Sequence, residues 1–247
     1  MELIPIRTRA LKAPKDDLLA AIAESKLKLK EGDILAISSK VVSIYEGRAV
    51  SVEGTDKEKL VEAEADWYVR VRKGNHRHRF TIAKGHMAGS SGIDQSNGNG
   101  HYILYPEDPF KSANRLRKEL SKKYGIEKLA VLITDSASVP FRRGAIGFAL
   151  AWDNFVPLKD YRKKSDLFGR PFKVEVANIA DGLAAGAVVT MGEGDESTPL
   201  VIIRGANVEF GNKKTKEPLV TALEDDMFAP FFLSKKWKRG GRGQSHT

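Results

Sequence analysis

The sequence predicts a mixed α+β fold, and three observations carry that prediction. Short apolar runs of strand length occur at residues 34–37, 129–133 and 200–203. Helical spacing appears elsewhere, most clearly in the stripe Ala113, Leu116, Leu120 and Tyr124. The two kinds of segment are interspersed without regular alternation, so the expected architecture is mixed, with largely antiparallel sheets and packed helices. At 247 residues, 41% hydrophobic and 30% charged, the chain has enough apolar content to bury an ample core. It has no apolar run long enough to cross a bilayer and no signal-peptide pattern, which predicts a cytoplasmic protein. Cysteine is absent, which excludes disulfides, thiolate metal sites and cysteine nucleophiles.

In chain order, an apolar start at residues 1–5 leads into a basic turn with Arg7, Arg9 and Lys12. Asp16 and Asp17 then cap a helix with Leu18, Leu19, Ile22 and Ala23 on one face, and Gly32-Asp33 ends it. The strand at 34–37 is followed by Ser38-Ser39-Lys40, by Val41-Val42, and by a turn at Glu46-Gly47-Arg48. A polar helix is expected from Asp56 to Ala65. A hairpin follows, with strands at 67–72 and 76–82 around a turn at Gly74-Asn75. Arg70 and Arg72 share one face of it, opposite Val69 and Val71; that face suits either solvent or an anionic ligand. The Gly/Ser/Asn-rich run at 89–100 is a loop. Asp108-Pro109 opens the striped helix, and Gly125 closes it.

The stretch at 129–151 organises the chain. A buried strand is expected to stop at Thr134-Asp135-Ser136, followed by Pro140, Arg142, Arg143, Gly144 and a second apolar run containing Gly147. Beyond it come a charged loop at 158–170, a strand at 172–176, an Ala-rich helix at 179–189 and the buried strand at 200–203. Residues 234–247 hold five Lys or Arg and no acid, which is over half of the net charge of +9. They are expected to form a basic disordered tail (234–247) after a catalytic domain at 1–233 that includes the basic hairpin at 67–83.

The familiar nucleotide and zinc signatures are missing: there is no Gly-Lys-Ser/Thr loop, no Gly-x-Gly-x-x-Gly after a strand, and no His-Glu-x-x-His. His76 and His78 share a strand face but lack a third ligand. What remains is a set of oxygen donors in glycine-rich or strand-end positions: Asp94, Asp135 and Glu193, with the Ser136 hydroxyl. Such donors suit Mg²⁺ or Mn²⁺ bridging to phosphate oxygens.

Several motifs resemble the coenzyme F420-0:L-glutamate ligase family. They are Ile4-Pro5, Ser38-Ser-Lys-Val-Val-Ser43 with Glu46-Gly47-Arg48, Gly92-Ile-Asp-Gln-Ser-Asn97, Pro106-Glu-Asp-Pro109, Ile133-Thr-Asp-Ser136 and Phe141-Arg-Arg-Gly-Ala-Ile-Gly-Phe148. Asp160-Tyr161, Asp166-Leu-Phe-Gly-Arg170, Ala180-Asp181, Met191-Gly-Glu-Gly194 and Val201-Ile-Ile-Arg-Gly205 continue the likeness in the same order. It covers roughly residues 4–207. The chain differs from the usual pattern at Ser90, Ser91 and Gly98 around Asp94, at Ser136-Ala-Ser-Val139, and at Ile44, where a lysine is usual.

The resemblance implies a fold of that family, an intertwined homodimer, and a GTP-dependent ligase that joins L-glutamate to F420-0 through an acyl phosphate. By the same likeness, Asp94 and Asp135 ligate one divalent cation (Mg²⁺ or Mn²⁺), and Ser136 and Glu193 ligate a second. Ser39, Lys40, Asn97, Gly192, Glu193 and Gly194 bind GTP or ATP. Arg142 and Arg143 support phosphate or the glutamate carboxylates, completing a catalytic set with Asp94 and Asp135. Two other readings stand beside this one. The acceptor could be a folate, or the chain could be a non-catalytic relative whose basic hairpin and tail, with Trp237, grip RNA or another polyanion. On the ligase reading, removing the tail leaves turnover intact.

Overall fold

The structure, a computed structural model, describes the chain except residues 74–75, 163, 213–217 and 243–247. It divides into two compact units. The first comprises Met1–Leu11, Asp17–Val42 and Pro106–Leu219; the second comprises Lys12–Asp16, Ser43–Tyr105 and the chain from Val220. The chain passes from the first to the second within helix α2 (Ser39–Glu46), which forms where the sequence suggests a short apolar pair and a turn.

The first unit is built on a five-stranded sheet of β1 (Glu2–Ile6), β2 (Ile34–Ser38), β8 (Ala130–Ser138), β9 (Ala145–Asp153) and β12 (Leu200–Arg204), in the order β1-β12-β2-β8-β9. Only β2 and β8 pair in parallel; the other three pairings are antiparallel. One face packs on helix α5 (Ile179–Met191). There Ile34, Ala36, Ala130, Leu132, Val201 and Ile203 meet Ala180, Leu183, Ala184 and Ala187. The alternate residues Leu35, Ile37, Val131 and Ile133 are buried as well, and α4 (Pro109–Tyr124) lies against β8 and β9. A sheet covered on both faces needs continuous apolar strands rather than alternating ones, which is why these runs look uniformly hydrophobic in the sequence.

Local signals set most helix ends. The Asp17 carboxylate accepts the Ala20 N–H to start α1 (Leu18–Glu24), and Asp108 does the same for α4 through Lys111, with Pro109 in the first turn. Gly125, at φ +65°, closes α4 in the left-handed conformation expected of a C-terminal glycine. Three expectations need correction. Helix α1 ends at Ser25, well before Gly32-Asp33; buried Asp33 instead holds the turn into β2 by accepting from Lys30 N–H and pairing with Arg204 at 2.7 Å. Strand β8 does not stop at Thr134 but runs to Ser138, because its antiparallel partner β9 carries the pairing onward past a bulge at Ile133/Thr134. The strand expected at 172–176 begins only at β11 (Val176–Asn178). It pairs there with β10 (Leu158–Asp160), inside what the sequence presents as a loop.

In the second unit, β4 (Trp67–Lys73) and β5 (His76–Ala83) form the expected hairpin, whose turn lies outside the described residues. The pair extends to β6 (His86–Ala88) on one side and β13 (Lys238–Arg239) on the other. A ribbon of β3 (Ala49–Ser51) and β7 (His101–Ile103) and helix α3 (Lys57–Glu64) complete a small core of Val61, Ile93, Tyr102 and Leu104. Part of the basic hairpin face is paired, although Arg70 and Arg72 remain exposed. Arg70 pairs with Glu62 and Arg79 with Glu58, both acids coming from α3. After the short α6 (Ala229–Phe232), the chain expected to be disordered from Ser234 pairs as β13 and is hydrogen-bonded through Arg242; residues 243–247 lie outside the described residues.

Gly147 marks the closest approach of β9 to α5. A Cβ there would lie 2.7 Å from the Ala184 carbonyl oxygen and 2.7 Å from Val188. Gly147→Ala should therefore push the strand and helix apart and lower stability by about 1–3 kcal/mol, seen as a lower urea midpoint at unchanged m-value. An unchanged midpoint would mean that α5 shifts at no cost.

Candidate active site

In the first unit, the parallel pairing brings several of the sequence-predicted residues to one end of the sheet. The β2–β8 register runs from Ile34↔Ala130 to Ser38↔Thr134, so both strands deliver their C-terminal ends together. In open α/β sheets, ligands bind outside the carboxyl ends of parallel strands. Here β2 passes directly into α2, whose first residues are Ser39 (buried) and Lys40, and the N–H groups of a helix start attract anions.

The loop after α5 is tied to the same end. The Ser38 N–H donates to the Pro199 carbonyl at 2.9 Å, and the Thr8 N–H donates to the Ser197 carbonyl at 3.0 Å. The Thr134 hydroxyl lies 3.8 Å from the Met191 sulfur, the Thr198 hydroxyl donates to the Met191 carbonyl at 2.6 Å, and Gly192 begins the loop at φ +80°.

Within this loop, Gly194 donates its N–H to the Glu196 carboxylate at 2.9 Å. A side chain on Gly192 would collide with that carboxylate, its Cβ falling 2.2 Å from Glu196 Cδ. Glu196 therefore packs over both glycines, held by the Gly194 N–H, while the Gly192 N–H closes α5 on the Val188 carbonyl at 3.0 Å. The motifs do not single out Glu196, although a carboxylate two residues after Gly194 in an acidic glycine loop is a visible signal. Glu193 is exposed on the same loop.

Strand geometry separates Asp135 from Ser136. Successive residues of a strand point to opposite faces. Ser136 pairs with Gly147, which abuts α5, and Thr134 also faces α5, so Ser136 lies on the α5 face with Glu193 following that helix. Asp135 points to the other face, which it shares with its register partner Phe148. Both are half-buried. The structure does not bring Arg142 and Arg143 to Asp135. They occupy the exposed turn between β8 and β9, at least three residues along the strand, roughly 10 Å.

Asp94 and Asn97 belong to the second unit. Asp94 bridges Ile103 through both of its backbone groups, at 3.0 and 2.7 Å, and its carboxylate accepts from the Ser96 N–H and hydroxyl, each at 2.8 Å. These bonds fix the orientation of the carboxylate. Asn97 turns the exposed loop at φ +54°. Ser91, Gly98 and Ile44 each have a local setting here. Buried Ser91 donates its hydroxyl to the Val61 carbonyl at 2.8 Å. A Cβ at Gly98 would fall 2.2 Å from the His101 carbonyl oxygen. Ile44 is buried in α2.

Among the described residues, no three His, Asp or Glu side chains gather as a metal-binding group. A cation held by one or two of these carboxylates would complete its shell with phosphate and water oxygens, which is the usual habit of Mg²⁺. Among the described residues, no helix is long and apolar enough to cross a membrane.

Comparison with known proteins agrees with the motif order. The family model for F420-0:Gamma-glutamyl ligase matches residues 5–205. The chain is 36% identical over 215 residues to a protein of Methanocaldococcus jannaschii named Coenzyme F420:L-glutamate ligase, covering 81% of this chain and 86% of that one. Proteins of the same name from Methanopyrus kandleri (35% over 249 residues, 92% and 96% covered) and Halorubrum lacusprofundi (32% over 231 residues, 85% and 89% covered) are similar along most of their length. The family match spans the glycine loop and every candidate residue of both units, and this chain belongs to the F420-0:gamma-glutamyl ligase family.

Proposed function

We propose that the protein is a ligase of the γ-glutamyl type, which joins the amine of L-glutamate to a carboxylate of coenzyme F420-0 with consumption of GTP or ATP. The observation that carries this reading is the likeness, over more than four-fifths of both chains, to relatives named for that reaction. The chemistry of the site supports it. In the first step, the acceptor carboxylate attacks the γ-phosphorus, giving an acyl phosphate and the nucleoside diphosphate. In the second, the glutamate amine attacks the acyl carbon. Inorganic phosphate then leaves with the C–O bond electrons, and the amine loses a proton to solvent. No protein nucleophile is needed, in keeping with a chain without cysteine.

The protein's part is to bind, orient and exclude water. The start of α2, with Ser39 and Lys40, and the loop of Gly192, Glu193 and Gly194 take the nucleotide phosphates; Asn97, in the second unit, is a proposed nucleotide-binding residue by the motif likeness alone. Asp94, Asp135, Ser136 and Glu193 are the proposed ligands of Mg²⁺ or Mn²⁺, all hard oxygen donors. Bound there, the cations would offset charge on the phosphoryl oxygens. Arg142 and Arg143, exposed and making no hydrogen bond or ion pair with described residues through their side chains, are available to an anionic substrate. A polyanion-binding role is less favoured, because α3 acids already pair the hairpin arginines Arg70 and Arg79.

The proposed homodimer draws support from large apolar side chains exposed on the first unit: Phe141, Ile146, Leu167 and Phe168. Sedimentation at micromolar concentration should give twice the 27.2 kDa chain mass, and Phe168→Glu should shift the protein toward monomer. A monomeric wild type would remove the dimer from the account.

The reaction is tested by mass spectrometry with Mn²⁺, L-glutamate, GTP or ATP, and either F420-0 or a reduced folate. The expected result is a gain of one glutamate residue on F420-0. A gain on the folate alone would replace the acceptor, and no gain on either from folded, Mn²⁺-binding protein would overturn the ligase reading. Asp135→Asn should fold normally yet bind Mn²⁺ at least about tenfold more weakly by calorimetry, because it removes a charged oxygen ligand. Equal affinity would remove Asp135 from the cation site.

A further inference from the structure

The family match ends at Gly205, yet the later chain returns to the second unit and packs against the end of α3. Strand β13 pairs Lys238 with Tyr68 and Arg239 with Trp67, and the Arg239 guanidinium lies 5.0 Å from the centre of the Trp67 ring. The next three N–H groups are all taken. Gly240 donates to the Asp66 carbonyl at 3.0 Å, Gly241 to Glu62 at 2.9 Å and Arg242 to Ala65 at 3.1 Å. These acceptors lie at or just beyond the C-terminal end of α3, where helix carbonyls lack partners of their own. Only a glycine pair can pass so close. A Cβ on Gly240 would fall 2.2 Å from the Ala65 oxygen, and one on Gly241 would fall 2.5 Å from the Ala63 oxygen.

The docked segment delivers Arg242 to a nearly buried carboxylate. Its guanidinium donates to one oxygen of Glu64 at 3.2 Å, and the Arg48 guanidinium donates to the other at 2.6 Å. The Glu64 side chain is only 13% exposed, and each of its oxygens accepts from one of those two guanidinium groups. Arg48 in turn donates its Nε–H to the Tyr105 carbonyl at 3.0 Å, while its own carbonyl accepts the Leu104 N–H at 3.0 Å. The Tyr105 ring fills the space beside Gly92, where a Cβ would fall 1.9 Å from the ring. Gly92 is two residues before Asp94, and Asp94 is bridged to Ile103, two residues before Tyr105.

We propose that Arg242 is a positioning residue for Asp94: through Glu64 and Arg48 it fixes Tyr105 against Gly92 and so holds the Asp94 loop in place. The functional half of this inference rests on the reading of Asp94 as a cation ligand; the mechanical half does not. On this proposal, cutting before β13 removes the clasp and should lower turnover, against the expectation that removing the tail leaves it intact.

The test is hydrogen–deuterium exchange on the full-length protein without metal, following peptides across residues 89–105, together with Mn²⁺ titration. Arg242→Ala should speed exchange at the Asp94 and Ile103 amides about tenfold and weaken Mn²⁺ binding about tenfold. Arg242→Lys, which keeps a cation beside Glu64, should restore most of both. Arg239→Ala is the control: it loosens the same clasp at Trp67 and should lower the melting temperature without changing exchange at Asp94. Should Arg242→Ala fail to fold, Arg242→Gln gives the same comparison. Unchanged exchange at Asp94 and Ile103 in the Arg242 variants, or an equal rise in Arg239→Ala, would overturn the proposal. If Asp94→Asn leaves Mn²⁺ affinity unchanged while Arg242→Ala still speeds exchange, the cation reading fails and the positioning role stands.

Discussion

The parallel pairing of β2 with β8 is the constraint on which the candidate site in the first unit depends. Every other pairing in that five-stranded sheet is antiparallel, so only here do two strands present their carboxyl ends side by side. That one junction places the start of α2 next to Thr134. It also draws in the glycine loop after α5 through the Ser38–Pro199 hydrogen bond, and it leaves the rest of β8 to project as a hairpin with β9. The continuous burial of Ile34 to Ile37 and of Ala130 to Ile133 stabilises the pairing, since both sheet faces are covered.

Much of this was legible in the sequence, for physical reasons. Carboxylate caps, an N-terminal proline and a left-handed glycine act locally, and α4 follows them at both ends. The buried strands were visible because double-sided burial demands uninterrupted apolar runs. What the sequence concealed was non-local. Residues 134–138 are polar and look like a loop, but pairing with β9 makes them strand. Asp33 looks like a helix terminator, yet its partner Arg204 is far along the chain. The basic hairpin and the basic tail look like free charge until α3 supplies Glu58, Glu62 and Glu64 to meet them.

The candidate site shows the same division. Residue types and motif order single out Asp94, Asp135, Ser136 and Glu193 as candidates, because hard cations and phosphates need oxygen donors and glycine loops. The opposed directions of Asp135 and Ser136, the carboxylate of Glu196 packed over Gly192 and Gly194, and the remoteness of Arg142 and Arg143 from Asp135 follow only from the fold. The period of two along β8 assigns the two adjacent oxygen donors to different faces, so on the proposed reading one strand would serve two separate cations.

That last claim is open to direct measurement. Crystals soaked in Mn²⁺ with a non-hydrolysable GTP analogue, and measured for anomalous scattering, should show two metal peaks on opposite faces of β8. One should lie within coordination distance of Asp135, and the other within coordination distance of Ser136 and Glu193. A single peak, or two peaks away from these side chains, would contradict the account.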